Sequence, residues 1–442
     1  MGARDILIKY FRLLTIMPKN ANSILKEILQ NVTPSKKELK DIKKILAENL
    51  QKVKANIKKN RINADVFIGG SFAKGTMIKK DNYEVDVFIR FDRKYKDILL
   101  SGITEKLLQG IRVQKIHGSR DYFKAKIAEN LAVEFVPVRR IKNPREAENI
   151  TDLSYSHVNY IKKKIKSEKL LDEIRLAKAF CYANGSYGAE SYVLGFSGYG
   201  LELLIFHYKS FLQFIRAMVR LDPKKKEVID LEKHHKNKNH VLMDINAAKL
   251  QSPIILVDPT YKQRNVLAAL SLETLRNFQK VCKDFLEKPS VNFFTQKVIN
   301  IEKIKAEAIN RGYEFVLLNI STNRQEGDIA GSKLLKFYRH LCFEISKIFD
   351  IKTKGFEYNK GKTARIFIVA EAKPYILING PLVNQEKHVR RFRNIYKNVS
   401  VKNSRLYSKV KINTTLENFL KNWSNKHRKK MMEMGIIGFS TA

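Results

Sequence analysis

An α+β protein of several domains is what this sequence predicts, and three observations carry the expectation. A capped amphipathic helical pattern opens the readable part of the chain. Three apolar, strand-like runs follow it. A helix-rich stretch then gives way to alternating helices and strands, so that strands and helices are segregated before residue 290 and interleaved after it.

The elements justify this in order. Residues 36–59 read as a basic amphipathic helix, with a shorter one before Pro34; Ser35 and Glu38 stand at the spacing of a capping box. Strands are expected at Asp65-Val-Phe-Ile68, at Tyr83-Glu-Val-Asp-Val-Phe-Ile-Arg-Phe91 and at Ala132-Val-Glu-Phe-Val-Pro-Val138. From Ser156 to about Arg220 the period is helical, with Leu170, Leu171, Ile174, Ala177 and Cys181 on one face and Gly185 as a helix stop. Pro223 to His240 is charged and reads as a connection or an exposed hairpin. Helices at 300–311 and 332–349, with strands at 313–320 and near 356–370, suggest a small α/β domain. Leu416, Phe419, Leu420 and Trp423 mark a final helix, for which Thr414 and Glu417 offer a cap. The expected domain boundaries are 1–150, 151–285 and 286–442.

Composition speaks about partners. Lys and Arg number 84 against 44 Asp and Glu, a formal net charge of +40, and an excess of this size attracts a polyanion, nucleic acid first. A generally Lys-rich composition accounts for part of it. Cys181, Cys282 and Cys342 lie far apart and form no C-x-x-C pair, so neither a disulfide framework nor a zinc knuckle is readable, and a reducing cytoplasm fits. The longest apolar stretches, such as Ile366 to Ala370, are far too short to span a membrane. Residues 1–16 lack the apolar centre of a signal peptide.

The chemistry gathers around three acids. On a strand, Glu84 and Asp86 project to one face, and two neighbouring carboxylates repel unless a cation lies between them. Hard oxygen ligands suit Mg²⁺. Taken alone, such a pair is an ordinary strand with a polar face. The preceding Gly69-Gly70-Ser71 turn changes that balance, because glycines let backbone N–H groups approach a phosphate, while Ser71 adds a hydroxyl and Lys74 a charge. It is not a Walker A loop, since Gly75 is followed by Thr76-Met77. Glu134, between Val133 and Phe135 on the third strand, is an acid in an apolar run and needs a salt bridge or a metal. His234, His235 and His240 read as structural, because no other ligand type accompanies them.

Gly70-Ser71, Glu84-x-Asp86 and Glu134 together resemble the active-site pattern of polymerase-β-like nucleotidyltransferases. More narrowly, the chain is similar to archaeal-type (class I) CCA-adding enzymes. The likeness runs through Arg175-Leu-Ala-Lys178, Tyr187-Gly-Ala-Glu190, Gly195-Phe-Ser-Gly-Tyr199-Gly-Leu-Glu-Leu-Leu204, Val257-Asp-Pro259 and Arg264-Asn-Val-Leu-Ala-Ala-Leu-Ser271. It covers about residues 65–275, and continues more loosely around Gly380-Pro381. Three residues or segments depart from the pattern: Lys74 where arginine is usual, Glu134 where aspartate is commoner, and Asp152-Leu-Ser-Tyr155. Residues 1–22 read as an extension.

The resemblance implies a catalytic head with a mixed β-sheet, a helical central domain and a C-terminal α/β body with a basic tail. It implies addition of CCA to the 3′ end of tRNA from CTP and ATP, with two Mg²⁺ ions held by Glu84, Asp86 and Glu134 as the catalytic residues. Ser71 and Lys74 would bind the triphosphate, His157, Lys178 and Tyr187 would complete that pocket, and Arg264 would help read the base. Each has a plainer role open to it: Lys178 a solvated helix residue, Tyr187 a core aromatic, Arg264 a brace to Asp258. From Lys387 onward 14 Lys and Arg stand against 2 acids, interleaved with aromatics, and the resemblance makes this segment a clamp for the acceptor and T arms. Another nucleotidyltransferase of the superfamily, such as a CC-only or A-only adding enzyme or a poly(A) polymerase, is the nearest alternative. An RNA-binding protein with a decayed site is a further one.

Overall fold

A computed structural model describes residues 20–296 and 299–441, so the expected N-terminal extension lies, up to residue 19, outside the described residues. The chain divides into two compact units, Met1–Lys297 and Val298–Ala442.

The first unit begins with α1 (Ala21–Val32) and α2 (Lys36–Lys59), and the Ser35–Glu38 capping box forms at the start of α2. The sheet that follows has the order β1-β2-β5-β4-β3, with β1 Ala64–Ile68, β2 Tyr83–Phe91, β3 Gln114–Ile116, β4 Tyr122–Ala128 and β5 Leu131–Arg139. It is mixed: β2 and β5 run parallel, and the other pairs are antiparallel. Alternation divides β2 between two environments. Tyr83, Val85, Val87, Ile89 and Phe91 point into a core shared with Ile42, Leu46 and Val53 of α2 and Leu100 and Leu107 of α4 (Asp97–Leu107). That leaves Glu84 and Asp86 on the opposite face. Between β1 and β2 lies a five-residue helix, α3 (Gly70–Lys74).

The expected helical stretch resolves into α5 (Ser154–Lys164), α6 (Glu168–Ala183), α7 (Gly198–Tyr208) and α8 (Phe211–Arg220), with Gly185 just past α6 at φ +63°. They share an aromatic core with α10 (Leu272–Glu287), in which Phe180, Phe196, Phe211, Phe214, Phe278 and Phe285 are fully buried. The charged stretch after Pro223 is a connection carrying β6 (Glu227–Ile229) and leading to α9 (Lys238–Asp244). In it His235 is held between Asp230 and Asp244 at 3.0 and 3.1 Å. β6 then joins β7 (Ile254–Asp258) and β8 (Tyr261–Asn265) in a small sheet of order β6-β7-β8.

The second unit opens with α11 (Ile301–Asn310) and β9 (Glu314–Thr322), followed by α12 (Asp328–Ser346). A hairpin of β10 (Phe349–Tyr358) and β11 (Thr363–Ala372) joins β9 and β15 (Ile436–Thr441) in a sheet of order β10-β11-β9-β15. A second sheet, β12-β14-β13, is built from β12 Tyr375–Leu382, β13 Val399–Lys402 and β14 Arg405–Lys411, with α13 (Glu386–Ile395) packed on β12. The expected final helix is α14 (Leu416–Lys426), but its cap is Thr415, whose hydroxyl accepts from Asn418 N–H, one residue beyond the expected Thr414. The basic C-terminal segment is built into this unit: Leu416, Leu420 and Trp423 are in its core, and β15 completes its sheet.

Candidate active site

The strand register sets the three acids on one face of the sheet. Asp86 on β2 faces Glu134 on β5 directly, and Glu84 lies two residues back on the same face of β2. Burial, reinforced by Asp86 and Glu84, pushes the Glu134 carboxyl up to about 7. Burial likewise raises Asp86, with Lys74 opposing it and Glu84 adding to it. Lys124 on β4 supplies the nearest opposite charge, paired with Glu84 and 3.6 Å from Glu134. The donor set is one of hard oxygens in mutual repulsion, and it fits a divalent cation. Among the described residues no three His, Cys, Asp or Glu side chains stand close enough together to form a metal cluster.

The glycine turn is fitted to this cluster. Gly69 N–H donates to the Asp86 carbonyl at 2.8 Å. Gly70 adopts φ +57°, and a Cβ there would stand 1.7 Å from Asp86 Oδ2, so only glycine lets the carboxylate occupy that position. α3 begins at Gly70 itself and carries Ser71 and Lys74, the latter close enough to act on Asp86.

Lys74 and Lys178 do meet, around a residue that sequence reading passed over. The Glu202 Oε2 atom takes Lys74 Nζ at 2.7 Å, and Oε1 takes Lys178 Nζ at 2.7 Å and the Thr76 hydroxyl at 2.6 Å. Glu202 is fully buried. Burial alone would raise its carboxyl, but Lys178 and Lys74 outweigh that and hold it at about 2. The signal was present: a lone acid inside the apolar run Gly200-Leu-Glu-Leu-Leu204 must be paired.

His157, Tyr199 and Arg264 form a second group around Asp258, which is also fully buried. His157 Nε2 lies 2.9 Å and an Arg264 guanidinium nitrogen 2.7 Å from Asp258 Oδ2, while Thr260 N–H and hydroxyl donate to Oδ1. His157 stacks on Tyr199 at 4.1 Å between ring centroids. Burial raises the Asp258 carboxyl, yet His157 and Arg264 bring it well below the usual range. Arg264 thus makes the bracing contact that the sequence left open. Its side chain remains partly exposed. Lys74 links the two groups, its ammonium lying 5.9 Å from the centroid of the Tyr199 ring. Tyr187 is half-buried and bridged to Phe196, and its hydroxyl, raised by burial, lies within the electrostatic reach of Glu202 and Lys74.

Asp152, in the segment that departs from the family pattern, is a buried hub: its carboxylate pairs with Arg120 and accepts from the N–H groups of Arg139 and Asn149. Beside Glu84 opens a cavity of about 780 Å³ whose polar lining includes Asn82, Arg112, Gln114, Lys124 and Lys126. No helix among the described residues is long and apolar enough to cross a membrane.

Comparison with known proteins adds a consistent set of likenesses. Residues 172–295 match a family model described as tRNA nucleotidyltransferase, second domain. A CCA-adding enzyme of Nanoarchaeum equitans is 42% identical over 209 residues, 47% of this chain and 51% of that one. Those of Methanocaldococcus jannaschii and Sulfurisphaera tokodaii are 28% and 29% identical, over 87% and 90% of this chain and 86% and 91% of theirs. Thus the first of these alignments spans about half of the relative, and the other two nearly all.

Proposed function

We propose that this chain, similar to archaeal CCA-adding enzymes over most of its length, adds C, C and A to the 3′ end of tRNA from CTP and ATP without a template. The observation that carries this reading is the facing of Asp86 and Glu134 across two parallel strands, with Glu84 beside them and a glycine turn moulded to Asp86. The three carboxylates would hold divalent ions, two in the family's manner, whose chemistry is to make the terminal hydroxyl more acidic and to neutralise the pyrophosphate that leaves.

The chain's own residues do the positioning. Ser71 offers a hydroxyl and Lys74 a charge beside Asp86 to the triphosphate, and Lys178 anchors Lys74 through their shared Glu202. Arg264, held by Asp258, presents the rest of its guanidinium to the base. The primer's 3′ end enters past Arg112 and Gln114, through the cavity beside Glu84. The basic strands of the second unit, with Arg405, Lys409 and Lys411 on β14, give the tRNA arms a surface read through backbone and shape. A cytoplasmic setting suits three buried, unpaired cysteines.

Incorporation of each NTP singly, on tRNA transcripts ending before, within and after CCA, tests the reading. CMP should enter twice, then AMP once, and addition should stop. A homopolymer, or one nucleotide type alone, would assign a different activity.

Arg264→Ala separates its two roles. A part in choosing the base predicts a larger loss of kcat/KM for CTP and ATP than for UTP, because cytosine and adenine offer a ring acceptor where uracil and guanine carry N–H. A purely bracing role through Asp258 predicts a lower Tm with all four nucleotide ratios unchanged.

A further inference from the structure

Lys124 crosses the sheet to reach the acids, and its path is specific. It pairs in register with Glu134 on β5, yet its ammonium extends over β5 to Glu84 on β2. The residue of β5 it passes is Ala132, the register partner of Glu84, whose small side chain leaves the way open. One ammonium thereby serves two of the three carboxylates, at a side chain only about one-third exposed (34%). We propose that Lys124 is a resident countercation: in the metal-free protein it occupies the charge position of a divalent ion, draws Glu84 toward β4, and must release it before an ion can be shared with Asp86 and Glu134. The proposal rests on the carboxylates being metal ligands.

The geometry makes Lys124 a competitor for the metal rather than a helper. Pairing with Lys124 relieves the repulsion among the acids, and the same pairing opposes any cation that needs those oxygens. The neighbouring Lys126 provides the contrast. It lies on the same strand and face, in register with Ala132, and raises the same general positive field.

Mn²⁺ binding by the full chain, followed by electron paramagnetic resonance without nucleotide, tests this on wild type, Lys124→Gln and Lys126→Gln. Lys124→Gln should bind Mn²⁺ tighter, roughly threefold or more, and Lys126→Gln should stay close to wild type. Melting in EDTA should show Lys124→Gln less stable than wild type, with the gap closing in saturating Mn²⁺. Lys124→Met keeps the length of the stem without its charge, and should repeat both results if the glutamine variant folds poorly. Equal or weaker Mn²⁺ binding in the Lys124 variants would overturn the proposal, as would an equal gain in Lys126→Gln. Absence of Mn²⁺ binding by wild type would instead remove the metal reading beneath it, and the proposal with it.

Discussion

Replacing Asp86 with asparagine is expected to abolish nucleotide addition while leaving tRNA affinity close to that of wild type. The asparagine would keep the shape that fills the space above Gly70, so the turn and the parallel register of β2 and β5 should survive. What goes is the carboxylate charge that faces Glu134 across the two strands. If that charge holds a shared ion, the loss falls on the transition state alone, and kcat should drop by on the order of 10³-fold or more, about 4 kcal/mol. Single-turnover rates at saturating CTP measure the effect, and filter binding of tRNA supplies the contrast. An Asp86→Asn enzyme running within a few-fold of wild type would remove the carboxylates from the chemistry. A parallel loss of tRNA affinity would make Asp86 a structural residue.

Much of this site was legible in the chain because strand periodicity is a strong constraint. Acid-x-acid in an apolar run places Glu84 and Asp86 on one face, and a third acid in a third apolar run belongs there once the sheet forms. The parallel pairing that sets Asp86 opposite Glu134 was not legible, since it depends on strand order, which no local pattern encodes. Nor was β4, whose Lys124 and Lys126 alternate with apolar residues in a run too short and too charged to stand out. The stretch from Ser156 to Arg220 reads correctly as helical, but the turn that divides it between Gly185 and Ser197 is held by long-range contacts, such as the Tyr187–Phe196 bridge. In the second unit the expected helix 332–349 starts four residues earlier and stops at Ser346, because Phe349 is needed in β10. The surroundings of Lys178 were not legible either, because its burial and its bond to Glu202 arise only when α6 and α7 pack together.

Glu202 is where the largest loss of stability is expected. Its carboxylate has no exposed surface and holds two ammonium groups, Lys74 and Lys178, and the Thr76 hydroxyl. Glu202→Ala leaves Lys178, itself 2% exposed, buried beside a second cation with no anion between them. Removing one partner of a buried pair in this way costs about 3–5 kcal/mol, more than the net worth of the pair, because the remaining charge cannot regain its water. The titration of Glu202 runs in the same direction. A carboxyl held at about 2 against an ordinary 4.5 contributes stability that is fully present above pH 4.5 and lost as pH falls toward 2. That difference is worth roughly 3 kcal/mol at neutral pH. Glu202→Ala should therefore melt well below wild type at pH 7, and the gap should narrow in acid. Removing Lys178 as well, in Glu202→Leu/Lys178→Met, should recover part of the loss, since one stranded charge goes with its anion. A Glu202→Ala protein as stable as wild type at pH 7 would show that water reaches the lysines. A double variant no more stable than Glu202→Leu alone would show that the stranded Lys178 charge is not the source of the loss.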